Sequence, residues 1–164
     1  MVKMSTKSRY GTRLVLDMAR HYGQGPVQLA DIARRQQVSV KYLEQLVIPL
    51  KLAGLIESVR GVKGGYLLTM EPRLITVGRV VDVLERGQNL VPCTDDPEKC
   101  RRAPFCATRC VWVDVERAIR DTLDSYTYQD LLEMEDTLMG GKGEDHVQPD
   151  RDGSFYESEE RGSA

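Results

Sequence analysis

Outside one stretch, residues 91–112, the chain has no cysteine. A scaffold stapled by disulfides needs thiols spread along the fold, so that class is not expected. No run of about 18 apolar residues occurs, which argues against a membrane-spanning helix. The opening MVKMSTKSRY is basic but lacks the apolar centre of a secretory signal, so the expected location is the cytoplasm. No nucleotide or flavin motif is present. The glycines at 61, 64 and 65 lack the Lys-Ser/Thr ending and following helix of a phosphate cradle. No acid–base pair suggests catalysis. The expectation is therefore a protein that is not an enzyme, with no small-molecule substrate and no membrane partner. There is no internal repeat.

What is present is unevenly distributed. The 164 residues are 41% hydrophobic, enough for one domain, or for a small domain with a dimerisation element. The net charge of −2 conceals a residue 1–80 half at +8 and a residue 81–164 half at −10. A basic half beside an acidic half suggests a polyanion-binding module joined to a part that does not bind.

All four cysteines, Cys93, Cys100, Cys106 and Cys110, lie in PCTDDPEKCRRAPFCATRCVW. Their spacing has no C-x2-C turn of the kind zinc sites usually carry. Iron–sulfur clusters take thiolates from loops of varied spacing. The surroundings are Pro, Asp, Lys and Arg, unlike the apolar runs that favour reduced core cysteines. Cys106 and Cys110 are four apart where a helix begins, so both thiols face one side. Iron–sulfur leads, with zinc and simple reduced thiols as the alternatives.

Period-four apolar residues predict a helix over Tyr10–Tyr22, ended by Gly23, Gly25 and Pro26. A short helix over Gln28–Arg35, a turn, and a second helix from Val40 to about Ala53 with Ser39 as N-cap form a helix-turn-helix. Leu43, Leu46, Val47 and Leu50 are its inner stripe. Lys41, Tyr42, Glu44 and Gln45 lie largely off it, near the end such a helix presents to base edges. Pro49 is expected to kink or shorten this helix. Leu55–Val59 and Tyr66–Thr69 read as strands of a hairpin whose turn carries Arg60 and Lys63. A hairpin directly after a helix-turn-helix is a wing, and those cations suit phosphates or the minor groove. The glycines serve tight turn geometry, close backbone approach, or both.

Ile75–Leu84 is expected to be helical. After the cysteine loop, Val111–Tyr126 is the longest amphipathic helix, with Val111, Val115, Ala118, Ile119, Thr122 and Tyr126 as its stripe. That stripe reads as a dimer seam, with packing on its own domain as the alternative. Tyr128–Met139 forms one more helix, and the acidic remainder reads as disordered. The expected fold class is mainly α with a small β-wing. It comprises a winged helix-turn-helix domain at 1–86, a cluster-binding loop at 87–110, a dimerisation helix and short C-terminal helix at 111–139, and a disordered acidic tail at 140–164.

The segments STKSRYGTRLVLDMA, VQLADIARRQQVSVKYLEQL and LAGLIESVRGVKGGYLL, with the cysteine loop, resemble the winged-helix iron–sulfur transcription regulators of the IscR/NsrR type. The resemblance runs from about Lys3 to Leu138. It implies a cytoplasmic homodimer that binds double-stranded operator DNA, senses cluster status and controls cluster-biogenesis genes. It places Lys41, Tyr42, Glu44 and Gln45 at base-reading positions and Arg60 in the minor groove. It makes Cys93, Cys100 and Cys106 cluster thiolates, and implies 2Fe-2S ahead of 4Fe-4S. Two departures stand out. The first cysteine gap is one residue longer than the family pattern, and Arg109 occupies the position of a histidine ligand. Cys110, next to it, is the natural replacement, with a carboxylate from elsewhere as the rival. An electron carrier would explain the cluster but not the wing. A zinc-structured DNA binder, a nitric-oxide or redox sensor of the same fold, and a regulator acting through protein contacts remain as alternatives.

Overall fold

Ser5 starts the first helix by accepting a hydrogen bond from the Ser8 amide on its side chain. In the computed structural model, which describes residues 4–86 and 90–140, this helix, α1, spans Thr6–Arg20. It begins four residues before the expected Tyr10, because polar capping rather than apolar periodicity sets the start. α2 (Leu29–Gln36) ends at Gln37, whose left-handed backbone (φ 53°) makes the sharp turn into α3 (Val40–Leu52). Ser39 caps α3 through the Tyr42 amide at 3.2 Å. Pro49 does not break α3, which continues to Leu52. It lies three residues before the end of the helix, and proline there forgoes the amide bond to the carbonyl four residues earlier without ending α3.

β1 (Ile56–Val59) pairs antiparallel with β2 (Gly65–Leu68), Ile56 opposite Leu68 and Val59 opposite Gly65. Then come α4 (Val77–Glu85), a short α5 (Pro92–Asp95), α6 (Ala107–Asp124) and α7 (Tyr128–Gly140). The fold is thus mainly helical with one two-stranded wing. The acidic segment beyond Gly140 expected to be disordered lies outside the described residues.

One core joins the winged elements: Leu14, Val15 and Met18 of α1, Ile32 of α2, Leu43, Leu46 and Leu50 of α3, Ile56 of β1, and Val80 and Leu84 of α4. α7 belongs to it as well. Tyr128 is fully buried, Leu131 and Leu132 pack alongside, and Arg20 of α1 pairs with Glu135 and Asp136 at 2.7 Å each. α6 differs from all of these. None of its eighteen residues is buried within the chain. The connection from α6 to α7 is tied to the entry of α4: Val77 N–H donates to the Tyr126 carbonyl (2.9 Å), and Tyr128 N–H to the Ile75 carbonyl (3.0 Å).

The helix-turn-helix is braced by a buried carboxylate. Asp17 of α1 accepts from Arg35 Nε (2.9 Å), a second Arg35 nitrogen (2.6 Å) and Gln36 Nε2 (3.1 Å). Burial alone would raise the Asp17 carboxyl, but the bonds from Arg35 and Gln36 and the Arg35 charge outweigh it and hold the group below its ordinary value. Replacing Asp17 with Ala is expected to destabilise the fold by about 2–3 kcal/mol, less than a fully buried pair because Arg35 is partly exposed. The Asp17 contribution should be complete above the unfolded carboxyl value of about 3.9 and be lost as pH falls through the lower folded value. Denaturant midpoints of wild type and variant across pH 2–7 measure both effects.

Candidate nucleic-acid interface and cysteine loop

On α3 the inner stripe is buried, and Lys41, Glu44 and Gln45 are exposed on the opposite side. These three share one surface because residues three and four apart in a helix are neighbours. Tyr42 is placed differently. Its ring meets Tyr10 of α1 edge-on, with centroids 5.8 Å apart, and its hydroxyl is buried without a hydrogen-bond partner. Burial therefore pushes the Tyr42 phenol up. Arg13 lies over the Tyr10 ring and donates to the Gln36 side chain and carbonyl, both at 2.9 Å. The ring contact ties α3 to α1, and the Arg13 bonds tie α2 to α1.

The wing shows both uses of glycine. Gly61 takes a positive φ of 118° and accepts from the Gly64 amide at 2.9 Å to close the tip. Gly65 lies where the Val27 backbone crosses β2, and a Cβ there would come within 2.5 Å of the Val27 carbonyl oxygen. Arg60 and Lys63 are exposed at the tip. Lys51, on the last turn of α3, donates to the Ser58 hydroxyl at 2.6 Å, tying that helix to the wing.

The cysteine loop is built from α5 and two single-turn segments, Pro97–Lys99 and Ala103–Phe105. All four thiols are free. Cys93, Cys100 and Cys106 are half-buried, and Cys110 is exposed. Cys106 is the residue preceding α6, and Cys110 lies in the first turn, so the helix begins earlier than the expected Val111. The Cys106 thiol is held below its ordinary range by the Thr108 hydroxyl at 3.2 Å, then by the Arg109 and Thr108 amides and the Arg102 charge. Among the described residues, no three Cys, His, Asp or Glu side chains already converge as a metal site. The donor set nonetheless fits an iron–sulfur cluster: four unpaired thiols on one segment, one favouring thiolate.

Sequence reading missed the links that hold this loop. Glu116 of α6 accepts from the Leu90 amide and lies 2.7 Å from the Thr94 hydroxyl, while Arg109 donates to the Cys93 carbonyl at 3.0 Å. The Glu85 carboxylate at the close of α4 accepts from the hydroxyls of Ser5 and Ser8. Partners this far apart in sequence leave no local signal.

A family model described as "Rrf2: Iron-dependent Transcriptional regulator" matches residues 4–134. The protein named rrf2 of Nitratidesulfovibrio vulgaris is 43% identical over 131 residues, covering 80% of this chain and 87% of that protein. The regulator CymR of Bacillus subtilis is 40% identical, over 82% and 93% respectively. The solved structure of T. potens IscR superposes with a TM-score of 0.69 at 42% identity, covering 84% of this chain and 90% of that one.

Proposed function

The chain belongs to the Rrf2 family of transcriptional regulators, and on that footing we propose that it binds operator DNA as a homodimer and senses iron–sulfur status through its cysteine loop. Members of this family are regulators, not enzymes. The observation that carries the DNA reading is the exposed Lys41, Glu44 and Gln45 face on a helix whose other side is locked into the core. That face enters the major groove, where Gln pairs with adenine, Glu accepts from cytosine and Lys donates to guanine. Tyr42 sets the helix through Tyr10, and its hydroxyl reaches DNA only on leaving that contact. Arg60 and Lys63 take the wing to the minor groove and its phosphates.

The open stripe of α6 supports the dimer, because an amphipathic helix with nothing buried in its own chain needs a partner surface. Cys93, Cys100, Cys106 and Cys110 are the ligands, with 2Fe-2S placed ahead of 4Fe-4S. Bound there, the cluster would supply a redox- and oxygen-sensitive link that cross-ties the turns of one loop. The chain's own part is mechanical. The loop leaves the end of α4 and feeds into α6, so its shape bears on the spacing of two recognition helices, to which paired half-sites are sensitive. The target genes on this reading are those of cluster biogenesis.

The test is binding to a duplex enriched from a random library, followed by fluorescence anisotropy over a range of salt. Wild-type affinity should fall steeply with salt. Arg60→Ala should bind about 1–3 kcal/mol more weakly. Undiminished binding by that variant would remove the wing from the interface, and failure to enrich any duplex would remove the DNA reading altogether.

A further inference from the structure

Residues 109 and 116 are seven apart on α6, two turns along one helix face. Both reach back to the same short segment, Leu90–Thr94, which surrounds Cys93. The Arg109 guanidinium donates to the Cys93 carbonyl (3.0 Å). One oxygen of the Glu116 carboxylate accepts from the Leu90 amide (2.7 Å) and lies 2.7 Å from the Thr94 hydroxyl. That hydroxyl is also 2.7 Å from the Val91 carbonyl, and its single proton serves one acceptor at a time. The same helix carries Cys110 in its first turn and is preceded directly by Cys106. Cys100 is held separately, by the bonds of its own turn to Pro97 and Ala103.

We infer that Arg109 and Glu116 are positioning residues that clasp the Cys93 segment onto α6, holding the first cysteine in register with the last two before any cluster is bound. The inference rests on the cluster reading above and deepens it. A guanidinium has no lone pair for iron. Its planar, multi-donor head instead suits a backbone carbonyl one segment away. The residue standing where the family pattern has a ligand therefore works on the backbone of another ligand. Glu116 completes the grip with an acceptor for a backbone amide and a side-chain hydroxyl. Fixing one strand of a four-thiol loop in advance lowers the ordering cost of ligation.

The experiment uses the full chain in two states. In metal-free protein, alkylation of each cysteine is timed by mass spectrometry. In anaerobically reconstituted protein, loss of visible absorbance is followed under a chelator. Arg109→Ala and Glu116→Ala should each speed Cys93 alkylation several-fold while leaving Cys100 at its wild-type rate, and should shorten cluster retention several-fold. Glu116→Gln, which keeps an acceptor oxygen, should restore most of both. Thr94→Val, which leaves the helix untouched, should act in the same direction as Glu116→Ala, and serves if the α6 variants fold poorly. If wild type loads a cluster and the variants match it in Cys93 alkylation and retention, the clasp is overturned while the cluster reading stands. If wild type takes up no iron and sulfide, the cluster reading fails and the positioning role fails with it.

Discussion

Replacing Ala118 with aspartate is expected to convert the protein to monomers and to weaken binding to a duplex carrying two half-sites by roughly 10²–10⁴-fold, the usual loss when two linked heads become independent. The stripe Val111, Val115, Ala118, Thr122 and Tyr126 runs along the side of α6 turned away from the Arg109–Glu116 clasp. Val111 is 55% exposed and Tyr126 42%. Ala118 lies near its centre and is exposed in the single chain, so an aspartate there costs the chain's own fold little. Ile119, at the edge of the stripe and already half-covered by its own chain, is a less clean probe. In a two-fold seam the change appears twice, and an unpaired buried carboxylate costs several kcal/mol. Sedimentation velocity reads the mass, and titration of one-site and two-site duplexes reads the heads. A variant that still sediments as a dimer would place the seam elsewhere.

Cys110→Ala is expected to abolish the cluster nearly as completely as Cys93→Ala. The Cys110 thiol lies one helical turn beyond Cys106, on the same side of α6. The rival ligand is a carboxylate from the N-terminal helix region or from a partner subunit. The first turn of α1 carries no acidic residue. The nearby Glu85 is occupied by the Ser5 and Ser8 hydroxyls, and Asp17 is committed to Arg35. Thiolate is the usual iron–sulfur ligand, and Cys110 is the one left on the loop. Anaerobic reconstitution, with absorption spectra and iron and sulfide counts, decides the matter. An unchanged spectrum and iron content in Cys110→Ala would exclude this thiol. A colourless wild type that retains zinc would replace the iron–sulfur reading with the zinc one.

Local chemistry made much of the fold readable. Ser39 before a stripe of Leu43, Leu46, Val47 and Leu50 marks α3 almost to the residue, because capping and periodicity agree there. The wing was equally plain, since Gly61, Gly64 and Gly65 between two β-rich runs permit little else. The start of α1 was set too late because Thr6–Arg9 carries no apolar rhythm. Pro49 leaves the end of α3 within one residue of the expected Ala53. In the site, the exposed Lys41, Glu44 and Gln45 could be read from their spacing, but Tyr42 could not. Its hydroxyl is buried and its ring packs edge-on against Tyr10, a residue 32 positions earlier. Asp17, Glu85 and Glu116 were invisible for the same reason: a carboxylate's role is set by partners that only the folded chain brings near.

The return of α7 to the winged core also sets an order of events during synthesis. Tyr128 is buried in the shared core, where α7 packs on α1 and on the turn Pro72–Leu74, yet it is made more than a hundred residues after α1. A chain emerging from the ribosome therefore cannot complete this core when the wing is complete, although Lys41, Glu44, Gln45, Arg60 and Lys63 are already outside. The head matures only after the cysteine loop and α6 have been released and α7 has docked. On the proposed reading, the four cysteines leave the ribosome before α7 does, so cluster loading can begin on a chain whose core is not yet closed.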